Sequence, residues 1–388
     1  MPVNNRIADL AGEIAGWRHD FHAHPEVLYE VHRTAARVAE LLESFGVDDL
    51  ATGVGRTGVV GVIHGNRPGK MIGLRAELDA LPMTEATGLA HASQNEGRMH
   101  ACGHDGHTAM LLGAAKYFAE TRDFAGSVAL IFQPAEEGGA GGRAMAEDGL
   151  FTRWPIEEVY ALHNMPGVPL GHFATRPNAI MASADTFEIV IEGRGGHAAW
   201  PHATADVVVA AGQIITALQS IVSRETNPLL AAVVSITQME AGSTHNVMPD
   251  RARLAGTLRA LDPDVRVHVE KRLIEIAEGV AWALNVKARV HVDHICGVVV
   301  NDPSRTALCA RVAGELAGRD KVDATMVPLM GGDDFCYLLD HRPGGYVFVG
   351  NGDTSGLHTV TYDFNDDLIP IGVSYWVRLV QAASSPSL

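Results

Sequence analysis

Basic residues are scarce in this chain. It carries 30 Lys and Arg against 46 Asp and Glu in 388 residues, a formal net charge of −16. A nucleic-acid surface needs a basic footprint, so this balance argues against one, and against an acidic membrane face as well. An anionic small molecule stays compatible if its pocket supplies local positive groups or metal. Cysteine is sparse too. Cys102, Cys296, Cys309 and Cys336 lie far apart and do not look like a disulfide framework. Cys102 is thereby left free to serve a metal as thiolate. No uninterrupted apolar run of about 18 residues occurs, so no membrane span is expected. The stretch 1–20 is polar and lacks the apolar core of a secretory signal, so a cytoplasmic protein is expected. Internal repeats and low-complexity tracts are absent.

What is present is apolar material for a well-packed soluble protein, 47% of residues with a mean hydropathy of +0.06. The length suits two domains better than one core. Ile7, Leu10, Ile14 and Trp17 recur at helical spacing over 6–20, and a second helix runs through Val38, Leu41, Leu42 and Phe45 to a glycine stop at Gly46. Strands at 57–63, 71–76, 128–132 and 159–162 then alternate with a helix at 106–120, the mark of an α/β domain. From about Ala184 the pattern changes. Strand 186–192, helix 205–223, strands 231–238 and 251–260, a helix opened by Asp262-Pro263, and strand 287–295 follow in the order β-α-β-β-α-β. This ferredoxin-like unit is complete in itself. It reads as an insertion, 184–296, into a discontinuous catalytic domain, 1–183 and 297–388, which resumes with helix 305–317, strand 346–349 and a helix over 368–383. The expected fold is α/β, with a mixed-sheet catalytic domain.

Metal-binding residue types cluster where strands end or helices begin. Asp79, Glu136-Glu137, His163 and His358 follow four different strands, and Cys102 and His104 precede a helix. Ligand sites in open α/β sheets lie beyond the carboxyl ends of the strands, so these segments converge on one edge. Cys-x-His in a glycine turn offers thiolate and imidazole to one ion. That set suits Zn²⁺, and carboxylate partners widen the choice to Mn²⁺ or Co²⁺. Adjacent glutamates in a loop can divide the work: one ligates, the other accepts a proton from a water whose pKa the ion lowers. The following Gly138-Gly139-Ala140-Gly141-Gly142 permits close backbone approach to a ligand. His19, His22 and His24 stand at a helix end before Pro25 and read as structural. The chain's 19 histidines raise the metal reading only slightly.

These residues lie in ordered runs that resemble the M20 metallopeptidases, in the amidohydrolase branch of hippurate hydrolases, aminoacylases and auxin-conjugate hydrolases. The runs are Met99-His100-Ala101-Cys102-Gly103-His104-Asp105-Gly106-His107, Gln133-Pro134-Ala135-Glu136-Glu137-Gly138-Gly139, Ala161-Leu162-His163-Asn164, Gly193-Arg194-Gly195-Gly196-His197-Ala198-Ala199, Asn246-Val247-Met248-Pro249-Asp250 and Tyr362-Asp363-Phe364-Asn365-Asp366. The resemblance implies two divalent ions per subunit, Zn²⁺ or Mn²⁺ with Co²⁺ or Ni²⁺ as further options, held by Cys102, His104, Glu137, His163 and His358. It implies Glu136 as general base and later acid, and Asp79 as the carboxylate that orients a ligand. From the inserted domain it implies His197 and Asn246 for the oxyanion and the substrate carboxylate, with Arg259 as a further carboxylate binder. It also implies a lid that dimerises, giving a homodimer and leaving a homotetramer open. Two positions depart from the family pattern. Glu77 stands where Asp is usual, and Gly332-Asp333-Asp334-Phe335 replaces the common Ser-Glu-Asp-Phe.

The expected activity is hydrolysis of the amide of a small N-acyl amino acid, with N-acetyl, N-benzoyl or a similar acyl group. Alternatives within the family are a peptidase acting on a dipeptide, a deacetylase acting on an N-acetyl-diamino acid, or a binding protein without turnover. A thiol hydrolase built on Cys102 and His104 would need a base and an orienting group, and the metal-type residues around the pair argue against it.

Overall fold

In the computed structural model, which describes residues 5–384, the periodicity begun at Ile7 becomes helix α1 (Asn5–Ala23), burying Ile7, Leu10, Ile14 and Trp17. Helix α2 (His32–Phe45) stops at Gly46, whose φ of 75° is the left-handed conformation of a helix end. Strands β1 (Asp49–Val54), β2 (Gly58–His64) and β3 (Arg67–Glu77) follow, then helix α3 (His104–Thr121) and β4 (Ala125–Gln133). Two short helices, α4 (Gly141–Glu147) and α5 (Leu150–Arg153), precede β5 (Ile156–Pro166), β6 (Phe173–Ala174) and β7 (Asn178–Met181). Next come β8 (Ala184–Glu192), β9 (Gly196–His197), α6 (Val207–Ser220), β10 (Ala232–Ala241), β11 (Val247–Met248), β12 (Arg251–Ala260), α7 (Pro263–Ala283) and β13 (Lys287–Cys296). The chain ends with β14 (Val299–Asn301), α8 (Pro303–Ala317), β15 (Val322–Asp323), α9 (Cys336–Leu339), β16 (Gly344–Gly352) and α10 (Ile369–Ala383).

These elements fall into two units. The first holds the residues up to Ile180, Val300–Val327 and those from Asp334 onward; the second holds Met181–Val299 and Pro328–Asp333. The first unit is built on a mixed sheet in the order β1-β2-β4-β3-β5-β16-β6-β15. Its middle strands β4, β3, β5 and β16 are mutually parallel, so their carboxyl ends share one edge. Helices α1, α3, α8 and α10 bury Phe118, Val312, Val373 and Trp376 in its core. Strands covered on both faces read as unbroken apolar runs, which is why β4, parallel to β3, and β2, antiparallel to β4 but equally buried, are plain in the sequence.

The second unit is an antiparallel sheet in the order β10-β12-β8-β13, with the β-α-β-β-α-β connectivity the sequence implies. Helices α6 and α7 bury Ile214, Leu218, Val269 and Leu273 with Phe187, Ile189 and Leu254 of the strands. Aspartate caps start the helices cleanly: Asp206 and Asp262 each accept two backbone N–H bonds, and Pro263 opens α7. The stretch Val207–Glu225 is long and apolar enough to cross a membrane by length and composition. Its Val207, Ala210, Ala211, Ile214 and Leu218 are instead buried in this unit's own core.

Two differences from the sequence reading matter for the site. Strand β5 runs on to Pro166, so His163 lies within it and not after it. Two buried polar residues interrupt the apolar run, yet Phe348↔His163 and Val349↔Asn164 continue the ladder with β16. Helix α3 begins at His104 and not at Gly106, which makes His104 its first residue.

Candidate metal centre

Residues from five segments of the first unit meet at the shared strand edge. Asp79 follows β3, Cys102 and His104 open α3, Glu136 and Glu137 follow β4, His163 lies on β5, and His358 sits in the loop after β16. The ligating atoms of Cys102, His104 and His163 lie within 4.8 Å of one another, as do those of Cys102, Glu137 and His358 and those of His104, Glu136 and Glu137. Cys102 Sγ is 3.5 Å from His163 Nε2, and His358 Nε2 is 3.3 Å from Glu137 Oε1. All the residues of the metal-ligand set expected from the sequence are brought together.

The second ring nitrogen of each buried histidine is already fixed. His104 Nδ1 donates to the Asp79 carbonyl and His163 Nδ1 to the Asn164 carbonyl, both at 2.7 Å. A carbonyl can only accept, so each ring presents Nε2 as a lone pair, the form that binds a cation. His104 Nε2 is buried and has no hydrogen-bond partner. Burial keeps both rings neutral, pushing His104 below the usual histidine range and His163 well below it. Burial, then Glu137 and Glu136, push the Cys102 thiol far up. Burial and Glu137 likewise raise Asp79 well above the ordinary carboxylate range. Anionic donors packed this tightly call for a cation. The orphaned lone pair of His104 and the mixed thiolate, imidazole and carboxylate set fit a pair of divalent ions.

The Asp79 carboxylate lies 3.7 Å from His104 Nδ1 and makes its hydrogen bonds to backbone. Its Oδ1 and Oδ2 accept from Glu136 N at 3.0 Å and Glu137 N at 3.1 Å. This bidentate hold fixes the Glu-Glu turn. Ala135, at a φ of 54°, swings the chain off β4 just before it. Glu136 Oε2 stands 3.9 Å from His104 Nε2, near the cluster but beyond hydrogen-bond reach of that nitrogen.

His197, Asn246 and Arg259 belong to the second unit. The short β9–β11 ribbon pairs His197 with Val247, and Ala198 N donates to the Asn246 carbonyl at 3.1 Å. His197 and Asn246 are thus neighbours across the ribbon, both exposed, while Arg259 lies on β12 opposite Val233. Of the N-terminal histidines, His22 is fully buried and sits 2.8 Å from Asp105 Oδ2, whereas His24 Nδ1 bonds the Asp20 carbonyl one turn back.

The sequence reading did not single out His107, Asn164 and Tyr362, which stand behind the ligands. Glu77 Oε2 accepts from His107 Nδ1 at 2.8 Å, His107 Nε2 is 2.7 Å from Asn164 Oδ1, and Asn164 Nδ2 donates to the Tyr362 hydroxyl at 2.6 Å. Each flanks a ligand in sequence by one to four residues, and that proximity was the only signal available. Glu77, one of the departures from the family pattern, also pairs with Arg75, which binds Asp334 Oδ1 at 2.9 Å.

An α/β sheet edge that gathers thiolate, imidazole and carboxylate donors is the setting of a metal-site hydrolase. The chain belongs to peptidase family M20/M25/M40, whose model matches residues 73–382. It is 40% identical over 379 residues to a hippurate hydrolase of Campylobacter jejuni, covering 98% of each chain. It is 39% identical to an N-acetyl-L-cysteine deacetylase of Bacillus subtilis, covering 97% of this chain and 88% of that one. Among solved structures, the Bacillus subtilis YXEP protein, described as a dinuclear metal binding peptidase from the M20 family, superposes with a TM-score of 0.84 at 32% identity, over 97% of this chain and 99% of the other.

Proposed function

We propose that this hydrolase cleaves the amide bond of N-acyl amino acids, releasing a carboxylate and a free amino acid. The observation that carries the reading is Glu136, a carboxylate at the cluster whose backbone is pinned by Asp79 while its neighbour Glu137 turns to His358. Cys102, His104, Glu137, His163 and His358 would hold two divalent ions, Zn²⁺ or Mn²⁺ with Co²⁺ or Ni²⁺ as substitutes. Bound there, such ions acidify water and polarise a carbonyl oxygen. Glu136 takes the proton from the attacking water and passes it to the leaving amine, one group acting as base and then acid. His197 is assigned to the oxyanion and Asn246 and Arg259 to the substrate carboxylate. A homodimer formed through the inserted unit is part of the same reading. The relatives named for hippurate and for N-acetyl-L-cysteine support a small acyl amino acid and leave the acyl group, benzoyl or acetyl, to measurement.

The test is release of free amino acid from N-acetyl, N-benzoyl and longer N-acyl amino acids by metal-stripped protein, with and without Mn²⁺ or Zn²⁺. Release that depends on metal is expected, and the panel then reports the acyl preference. Glu136→Gln should lower turnover by about 10²–10⁴-fold while metal stays bound. Turnover that survives this change, or that survives stripping, removes the mechanism; Glu136→Gln protein that has lost its metal makes Glu136 a ligand instead.

A further inference from the structure

Every segment that carries a residue of the cluster also contributes at least one residue to a buried polar chain behind the site. Gln133 lies three residues before Glu136, and its Oε1 accepts from Arg75 Nε at 2.9 Å. Arg75 joins Glu77, two residues before Asp79. Glu77 accepts from His107, one turn of α3 past His104. His107 meets Asn164, next to His163 on β5. Asn164 donates to Tyr362, four residues past His358. All of these side chains are at most 2% exposed. Direct packing joins the two layers as well, since the His107 and His163 rings stand edge to face with centroids 4.5 Å apart.

We propose that this buried chain from Gln133 to Tyr362 is a positioning frame that sets the spacing of the metal ligands, with Asn164 and Tyr362 coupling His163 to the His358 loop. The frame is worth most where its members are desolvated, because a buried amide or hydroxyl that loses its partner cannot recover it from water. Asn164 is the junction: its amide faces His107 on one side and Tyr362 on the other, while its carbonyl orients the His163 ring. Gly103 shows how closely the frame abuts the ligands. A Cβ there would lie 2.2 Å from Asn164 Oδ1 and 2.6 Å from the Tyr362 hydroxyl. Glu77, His104 and His107 are close enough together to suggest a further cation. Both ring nitrogens of His107 are already engaged, by Glu77 and by Asn164, so Glu77 and His107 belong to the frame while His104 stays with the ligands.

This inference rests on the metal reading above, and the experiment separates the two. Metal-free parent, Tyr362→Phe, Asn164→Ala and the control Tyr375→Phe are titrated with Zn²⁺ and Mn²⁺ against a competing chelator, with circular dichroism and thermal unfolding alongside. Tyr375 supplies an equally buried hydroxyl on α10, outside the frame. Tyr362→Phe and Asn164→Ala should fold and bind at least one ion about 10–100-fold more weakly, while Tyr375→Phe binds as the parent does. A parent that binds no divalent ion overturns the metal reading. A parent that binds, with Tyr362→Phe at parental affinity, overturns the frame, and since Tyr362→Phe removes a single oxygen it decides the matter even if Asn164→Ala fails to fold. Loss in Tyr375→Phe equal to that in Tyr362→Phe would reduce the effect to general destabilisation and also overturn the frame.

Discussion

Gly103 is the residue on which the site depends most sharply without offering any chemistry. It sits between Cys102 and His104 with a φ of 89°, and the frame fills the space its side chain would need. Gly103→Ala should therefore cost about 1–2 kcal/mol from the left-handed backbone alone, with the steric overlap on Asn164 and Tyr362 added to it. Urea denaturation and metal titration of the same variant check this: parental stability with parental metal binding would show that the turn has room the geometry denies it. At this scale the sequence offered candidate ligands and, of their supports, Asp79 alone. Cys102, His104, Glu137 and His163 belong to residue types with few other reasons to cluster at strand ends. Asn164, Tyr362 and His107 are ordinary core residues until the fold brings them together, and no spacing rule links positions 57 and 198 apart in sequence.

At the scale of elements, legibility followed the local signals. Asp262-Pro263 announced α7, and the structure puts Asp262 at the N-cap, accepting from Asp264 N at 2.9 Å and Val265 N at 3.1 Å. Asp262→Ala should lower stability by about 1 kcal/mol and leave turnover at 25 °C unchanged, read from the urea midpoint and the initial rate; a midpoint that does not move would mean the first turn of α7 is held by packing alone. Where the signal is tertiary, the sequence misled. The end of β5 looked like a strand stopping at Leu162, because His163 and Asn164 break the apolar run. Both are buried, held by the ladder to β16 and by the frame, so burial of paired polar groups replaced hydrophobicity as the cause of strand structure. The short strands β6, β9, β11 and β15 have two residues each and no periodicity to read.

At the scale of the whole molecule, helices α1 and α3 are tied by a buried charge cluster that gives stability a particular pH dependence. Asp105, at the first turn of α3, lies 2.8 Å from His22 Nδ1 and 3.4 Å from Arg18 Nη1, and His22 Nε2 is 3.4 Å from Glu85. Burial alone would lower the His22 pKa, but Asp105 and Glu85 together outweigh it and raise His22 from 6.5 to about 10. Burial alone would raise Glu85, but the facing His22 and the hydrogen bonds from Thr87 and Ser93 outweigh it and bring Glu85 from 4.5 down to about 2. The signs are opposite. The raised histidine contributes fully below pH 6.5 and loses its contribution as pH rises toward 10; the lowered carboxylate contributes fully above pH 4.5 and loses it as pH falls toward 2. The cluster therefore holds α1 against α3 best between about pH 4.5 and 6.5. Thermal unfolding of the parent should show a melting temperature that declines from pH 6.5 to 10, and His22→Gln should lower the melting temperature at pH 6.5 while flattening that alkaline decline. Because both proteins share every other titrating group, the difference between their curves isolates His22. Curves that stay parallel from pH 6.5 to 10 would show that His22 carries no excess proton in the folded state, and that the polar hold of α1 on α3 rests on other pairs such as Arg18–Asp105 and Glu13–Lys116.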